Sequence, residues 1–175
     1  MTEQDKEQLK EKIGSWLNEN VKLNFKEFEN ENFHFSFLVW AKKQGSKVGS
    51  NIIPIQVGYL KQLQQRQECI LMGWGWTVDL KHYKVKSVMD NAKLRNALVE
   101  RLEQIINGNF RIKFLPNENS FSQIRVFTLI PVNLITKPIM HKMIIDLWLK
   151  YATMQFQFEK QYRWPAGWFD PSKHV

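Results

Sequence analysis

The chain has 175 residues, 43% of them hydrophobic and 13% aromatic, with a formal charge of +8. That length suits one domain with a sizeable core, so residues 1–175 are read as a single domain, and 12 Phe with 7 Trp exclude a disordered chain. No apolar run approaches the roughly 18 residues of a membrane span, the polar start MTEQDKEQLKEK is not a secretory signal, and one cysteine excludes an internal disulfide, so a cytoplasmic protein with no membrane association is expected.

Thr2 to Asn18 is predicted as a surface helix. Leu9, Ile13, Trp16 and Leu17 make its narrow apolar stripe, and Glu3, Asp5 and Glu7 sit where the helix dipole favours acids. Val21, Leu23 and Phe25 then alternate, which fits a short strand or the run-out of the helix, with the extended form preferred. Asn32 to Ala41 (NFHFSFLVWA) alternates as a strand, with Phe33, Phe35, Phe37 and Val39 on one face. Lys42 to Ser50 reads as a loop. Asn51 to Tyr59 is the next strand, and Pro54 within it argues for an edge or a bulge, because proline has no N–H to donate. A Gln-rich connection, Leu60 to Glu68, leads to a third strand over Cys69 to Val78. There Ile70, Met72, Trp74, Trp76 and Val78 point one way, and Gly73 and Gly75 the other.

Ser87 to Asn107 is the clearest amphipathic segment and is predicted as one central helix. Leu94, Leu98, Leu102, Ile105 and Ile106 make one stripe of a 3.6-residue period. Ser87 with Asp90 reads as a weak capping box, and Asn107-Gly108 as the stop. Asn109 to Leu115 and Phe121 to Ile130 then form a hairpin with one wet face, joined by turn residues over 116–120. The last helix is predicted from about Lys137 to Gln161. Met140, Met143, Ile144, Leu147, Tyr151, Met154 and Phe158 form one stripe, while Ile145, Trp148, Leu149, Ala152 and Phe156 lie round the side. That is more apolar surface than one sheet contact requires. Residues 162–175 read as an aromatic-rich coil tail. The result is an α+β domain with a five-stranded, mainly antiparallel sheet packed by helices.

The charge is uneven: residues 1–31 hold 5 basic and 8 acidic side chains, and residues 32–175 hold 20 and 9. Such asymmetry fits an acidic partner, nucleic acid included, and it also fits a solvated basic surface. The candidate nucleic-acid contacts are Lys42, Lys43, Lys47, Arg111, Lys113 and Arg125. His34, His82, His141 and His174 are scattered without metal-ligand spacing, no Ser sits in a nucleophile elbow, and Gly73-Trp74-Gly75 opens no helix. Hence no catalytic residue, metal or cofactor is assigned. Cys69 reads as a small buried hydrophobe. Trp74 and Trp76 allow either an aromatic platform or burial under helices, and burial is favoured because large aromatics dominate core energetics.

The order α-β-β-β-α-β-β-α, with a hairpin between the second and third helices, resembles the type III secretion chaperone-like fold, nearest its small uncharacterised and YbjN-like branches. The segments that carry the resemblance are SWLNEN leading into NFHFSFLVWA, LRNALVERLEQIIN-G-NFRIKF, and MHKMIIDLWLKYATMQF, which span nearly the whole chain. The resemblance implies a homodimer that binds other polypeptides along its surface and has no active site. The expected function is therefore non-enzymatic protein binding, chaperone- or adaptor-like, with a basic nucleic-acid-binding module as the alternative. The second apolar sector of the last helix predicts a homodimer, and the candidate partner contacts are Trp148, Ala152, Phe156, Trp164 and Trp168.

Overall fold

A computed structural model describes residues 1–42, 53–61 and 68–163. Among them the elements run α1 (Glu3–Asn18), β1 (Leu23–Glu27), β2 (Phe33–Ala41), β3 (Ile55–Leu60), β4 (Cys69–Thr77), α2 (Tyr83–Met89), α3 (Ala92–Ile105), β5 (Arg111–Asn117), β6 (Ser120–Pro131) and α4 (Lys137–Gln161). A short 3-10 turn at Val132–Leu134 precedes α4. The strands form one antiparallel sheet in the order β1-β2-β3-β4-β6-β5. Most of the predicted loop at 42–50, the start of the strand predicted at 51–59, most of the Gln-rich connection and all but Tyr162 and Arg163 of the predicted tail lie outside the described residues.

The α+β class follows the sequence, but the sheet has six strands rather than five among the described residues. The addition is β1. Leu23 donates to the Asn20 carbonyl at 2.9 Å, so the chain turns sharply after α1 instead of trailing out of it. Leu23 to Glu27 then pairs with Ala41 to Phe37 of β2. Pro54 argues for an edge strand or a bulge; the edge alternative fails, since β3 lies between β2 and β4. The physical reason is position: Pro54 stands one residue before the first paired residue, Ile55, so its missing N–H removes no ladder bond.

The chain divides into two compact units, Met1–Met72 with Leu129–Ile145, and Gly73–Thr128 with Asp146–Val175. In the first, Thr2 and Asp5 close a full capping box at the start of α1. Leu9, Ile13 and Leu17 are buried, while Trp16 is half-buried with Lys12 over its ring. Phe35, Phe37 and Val39 fill one face of β2, and Gly14 of α1 lies against the Phe37 ring. Phe33 departs from the predicted face: the register shifts between Phe33 and Phe35, which turns the Phe33 ring to the other side, over Gly58 and beside Ser36. The opposite face of β2 is not uniformly wet. Ser36 is buried there, and its hydroxyl donates to the Phe28 carbonyl at 2.6 Å, which satisfies it. The start of α4 is tied to α1 by a Lys137–Glu19 ion pair and by the His141 ring, whose Nε2 lies 3.0 Å from the Trp16 carbonyl oxygen.

In the second unit the predicted central helix is two helices. Asn91 interrupts it: its side chain accepts from the Leu94 N–H at 3.1 Å and starts α3 afresh. Ser87 is therefore no cap, since it lies inside α2 and its hydroxyl donates to the Lys84 carbonyl. The break also turns the stripe. Leu98, Val99, Leu102 and Ile106 are buried, but Leu94, in the first turn of α3, is 45% exposed. Gly108 has φ +73°, the left-handed conformation expected of a helix stop. Lys150 of α4 supports that end, with its ammonium donating to the Ile105 carbonyl and to Asn107 Oδ1. The hairpin begins two residues later than predicted and is longer, with β5 running to Asn117 and β6 beginning at Ser120.

Candidate functional site

Catalytic chemistry requires titratable side chains brought together with shifted pKa values. No group of three or more His, Cys, Asp or Glu that could hold a metal occurs among the described residues. His34 packs its ring 4.8 Å from that of Tyr59, and partial burial followed by the nearby Lys6 charge lowers its pKa. The Tyr59 hydroxyl is pushed up to about 12, by burial first and then by its hydrogen bond to Glu68. Burial also raises the Cys69 thiol, which disfavours the nucleophilic thiolate. His174 lies outside the described residues. A cavity of about 470 Å³ in the first unit is lined by Glu27, Glu29, Glu31, His34, Ser36 and Lys61, but the Ser36 hydroxyl is already bound to backbone and activates nothing.

The Trp74/Trp76 face is core. Trp76 is 1% exposed, and Trp74 donates its indole N–H to the Leu147 carbonyl at 3.0 Å. Tyr151 and Phe158 of α4 meet the two indoles edge-on, with centroids 5.2–5.8 Å apart. Bases cannot stack on rings already covered by a helix. Trp40 belongs to the first unit, where it pairs in register with Asn24.

Two surfaces of the second unit remain. The first is the outer face of α4. Leu147, Tyr151, Met154 and Phe158 are buried as predicted, as are Met140, Met143 and Ile144 in the part of α4 that belongs to the first unit. Of the predicted partner contacts, Phe156 is 56% exposed, Ala152 is exposed and Trp148 is half-buried, while Trp164 and Trp168 lie outside the described residues. Sequence reasoning left Leu149 out of that set, yet it is 60% exposed. Leu149, Ala152 and Phe156 stand at i, i+3 and i+7, a spacing that places them on one face and was available from the sequence.

The second surface is the wet face of the hairpin. In register, Arg111 faces Phe127, Lys113 faces Arg125 and Leu115 faces Gln123, and strand alternation puts all six on one side. Arg111, Lys113 and Arg125 are exposed, whereas Phe127, Leu115 and Gln123 are half-buried. The other side carries the buried Phe114, Ile124 and Val126. Gly73 and Gly75 of β4 lie under this face: a Cβ on Gly73 would fall 2.7 Å from Phe127 Cβ, and one on Gly75 3.7 Å from Arg125 Cγ. Thus three of the six predicted basic contacts come together. Lys42 is exposed in the first unit, and Lys43 and Lys47 lie outside the described residues. Phe127 is the member that sequence reasoning missed, because its place beside Arg111 depends on the hairpin register.

No protein-family model matches the chain, and no curated protein matches it in sequence. Among solved structures it is similar to an uncharacterised protein from Methanothermobacter thermautotrophicus, with 15% identity and a TM-score of 0.64, over 88% of this chain and 99% of that one. At that identity the likeness concerns the fold alone. No helix among the described residues is long and apolar enough to cross a membrane.

Proposed function

We propose that this chain is a non-enzymatic protein-binding domain, chaperone- or adaptor-like and cytoplasmic, whose first partner is a second copy of itself. The observation that carries the proposal is the outer face of α4. A helix that only packs on a sheet needs one apolar sector. This one has a second, with Leu149 60% and Phe156 56% exposed on either side of Ala152. Burying a Leu or Phe side chain contributes on the order of 1.5–3 kcal/mol. A two-fold contact would bury the same residues on both chains at once.

The element order supports the reading. The five strands on which the resemblance to the secretion chaperone-like fold rests correspond to β2 through β6, with β1 added at one edge. We place the chain in the uncharacterised, YbjN-like branch of that fold, where self-association and polypeptide binding go together. A single buried thiol suits a reducing compartment.

Sedimentation velocity over the micromolar range is the test. The expected species has twice the 20.9 kDa chain mass, and Phe156→Glu returns it to a monomer with an unchanged melting curve. A wild-type monomer at every concentration overturns the proposal, and so does a dimer that both Phe156→Glu and Leu149→Glu leave intact.

A further inference from the structure

The wet face of the second unit carries positive charge that nothing in its own strands answers. Gly73 to Thr77 of β4, all of β5 and Ser120 to Thr128 of β6 contain no Asp or Glu. Lys113 and Arg125 are direct cross-strand partners. Like charges placed opposite one another in a sheet destabilise it. Among the described residues neither they nor Arg111 takes part in an ion pair. Such an arrangement is relieved by an anion with several charges.

From this we infer that the β4–β6–β5 face binds single-stranded nucleic acid, with Arg111, Lys113 and Arg125 on the phosphates and the Phe127 ring under a base. Three features select this occupant. Arg111 and Lys113 are two residues apart on one strand, roughly 6.8 Å, close to the spacing of successive phosphates along an extended strand. Phe127 lies among the cations as a half-buried ring directly opposite Arg111, and an aromatic surface of that kind suits a base better than a carboxylate side chain. Finally, β6 is an interior strand flanked by β4 and β5, and Gly73 and Gly75 keep the β4 side low. The face is a floor on which unstacked bases can lie, not a projecting ribbon that could enter a duplex groove.

The experiment is fluorescence anisotropy with a labelled oligothymidylate, its duplex counterpart and polyglutamate as competitor, repeated across a salt series. Three phosphate contacts on a single strand give a slope of log affinity against log salt of about −2. Lys113→Gln with Arg125→Gln should bring that slope to about −0.7, which corresponds to one remaining contact. Phe127→Leu should weaken binding by about tenfold with the slope unchanged, since stacking is lost but no charge is. Melting curves at or above wild type for the charge variants establish that they are folded. The inference is overturned if the wild type binds no oligothymidylate at low salt, or if the three substitutions leave affinity and slope unaltered. It is equally overturned if the duplex binds more tightly than the single strand, or if polyglutamate displaces the oligonucleotide at equal charge concentration, which would mark the face as a duplex or acidic-protein surface.

Discussion

Gly73 and Gly75 stand two residues apart on the same face of β4, and the structure predicts opposite responses to the same substitution. A Cβ on Gly73 would lie 2.5 Å from the Val126 carbonyl oxygen, 2.7 Å from Phe127 Cβ and 3.0 Å from Phe127 Cα. Comfortable carbon contacts are about 3.5–4.0 Å. Two of the three atoms are backbone of the neighbouring strand, so they cannot rotate away and β6 itself must shift. Overpacking of that kind costs about 1–3 kcal/mol. Against it stands only the reduced freedom of the unfolded chain, which favours alanine by about 0.4–1 kcal/mol. Gly73→Ala should therefore lose about 1–2 kcal/mol, which lowers Tm by about 2–8 °C for a chain of this size. At Gly75 the nearest atoms are Arg125 Cγ at 3.7 Å and the Ile124 carbonyl oxygen at 3.8 Å, ordinary contacts. Only the unfolded-state term remains there, so Gly75→Ala should raise Tm by about 1–4 °C. Calorimetry on the two variants at neutral pH gives both numbers. If Gly73→Ala melts at or above wild type, or if the two shifts share a sign, the close approach of β4 and β6 is not the reason for glycine at 73.

Leu98 is fully buried on α3, so Leu98→Asp should abolish folding or cost more than about 4 kcal/mol in a urea titration, and a wild-type midpoint would put that stripe in solvent. Burial, and then the Glu159 charge, pushes the Tyr151 hydroxyl up to about 12. Below pH 10 the proton is bound in folded and unfolded chains alike, and between about 10 and 12 only the folded chain keeps it, so stability should fall as pH rises through that window. Tyr151→Phe should flatten part of this alkaline decline in urea midpoints, and an equally steep decline would rule out Tyr151 as its source.

Several elements were legible because their causes are local. The ends of α4, Lys137 and Gln161, were readable from an uninterrupted 3.6-residue stripe, and β4 from its alternation, whereas in β2 the alternation holds only from Phe35 onward, because the register shift before it is set by pairing with β3. The turn at Gly108, two residues past the Ile106 cap of α3, needed only a residue that tolerates positive φ. The burial of Trp74 and Trp76 followed from the energetics of large aromatics, although their covering by Tyr151 and Phe158 could not be read from β4 alone. The break at Asn91 was hidden because a side chain that caps a backbone N–H leaves the hydrophobic period almost unchanged on either side.

The amino-acid sequence by itself determined the α+β class, the apolar faces of β4, β5 and β6 and the existence of a second apolar sector on α4, since these rest on periods of two and 3.6 residues. Tertiary structure alone decided that β4 lies beside β6 and that β3 is an interior strand. It also decided that Leu149 stays wet while Trp148 is half-buried, and that Lys113 faces Arg125 with Phe127 beside them. The physical reason is range: a residue's own periodicity fixes which way it points, but its neighbour across a sheet is fixed by register between distant segments, and the candidate surfaces are made of such neighbours.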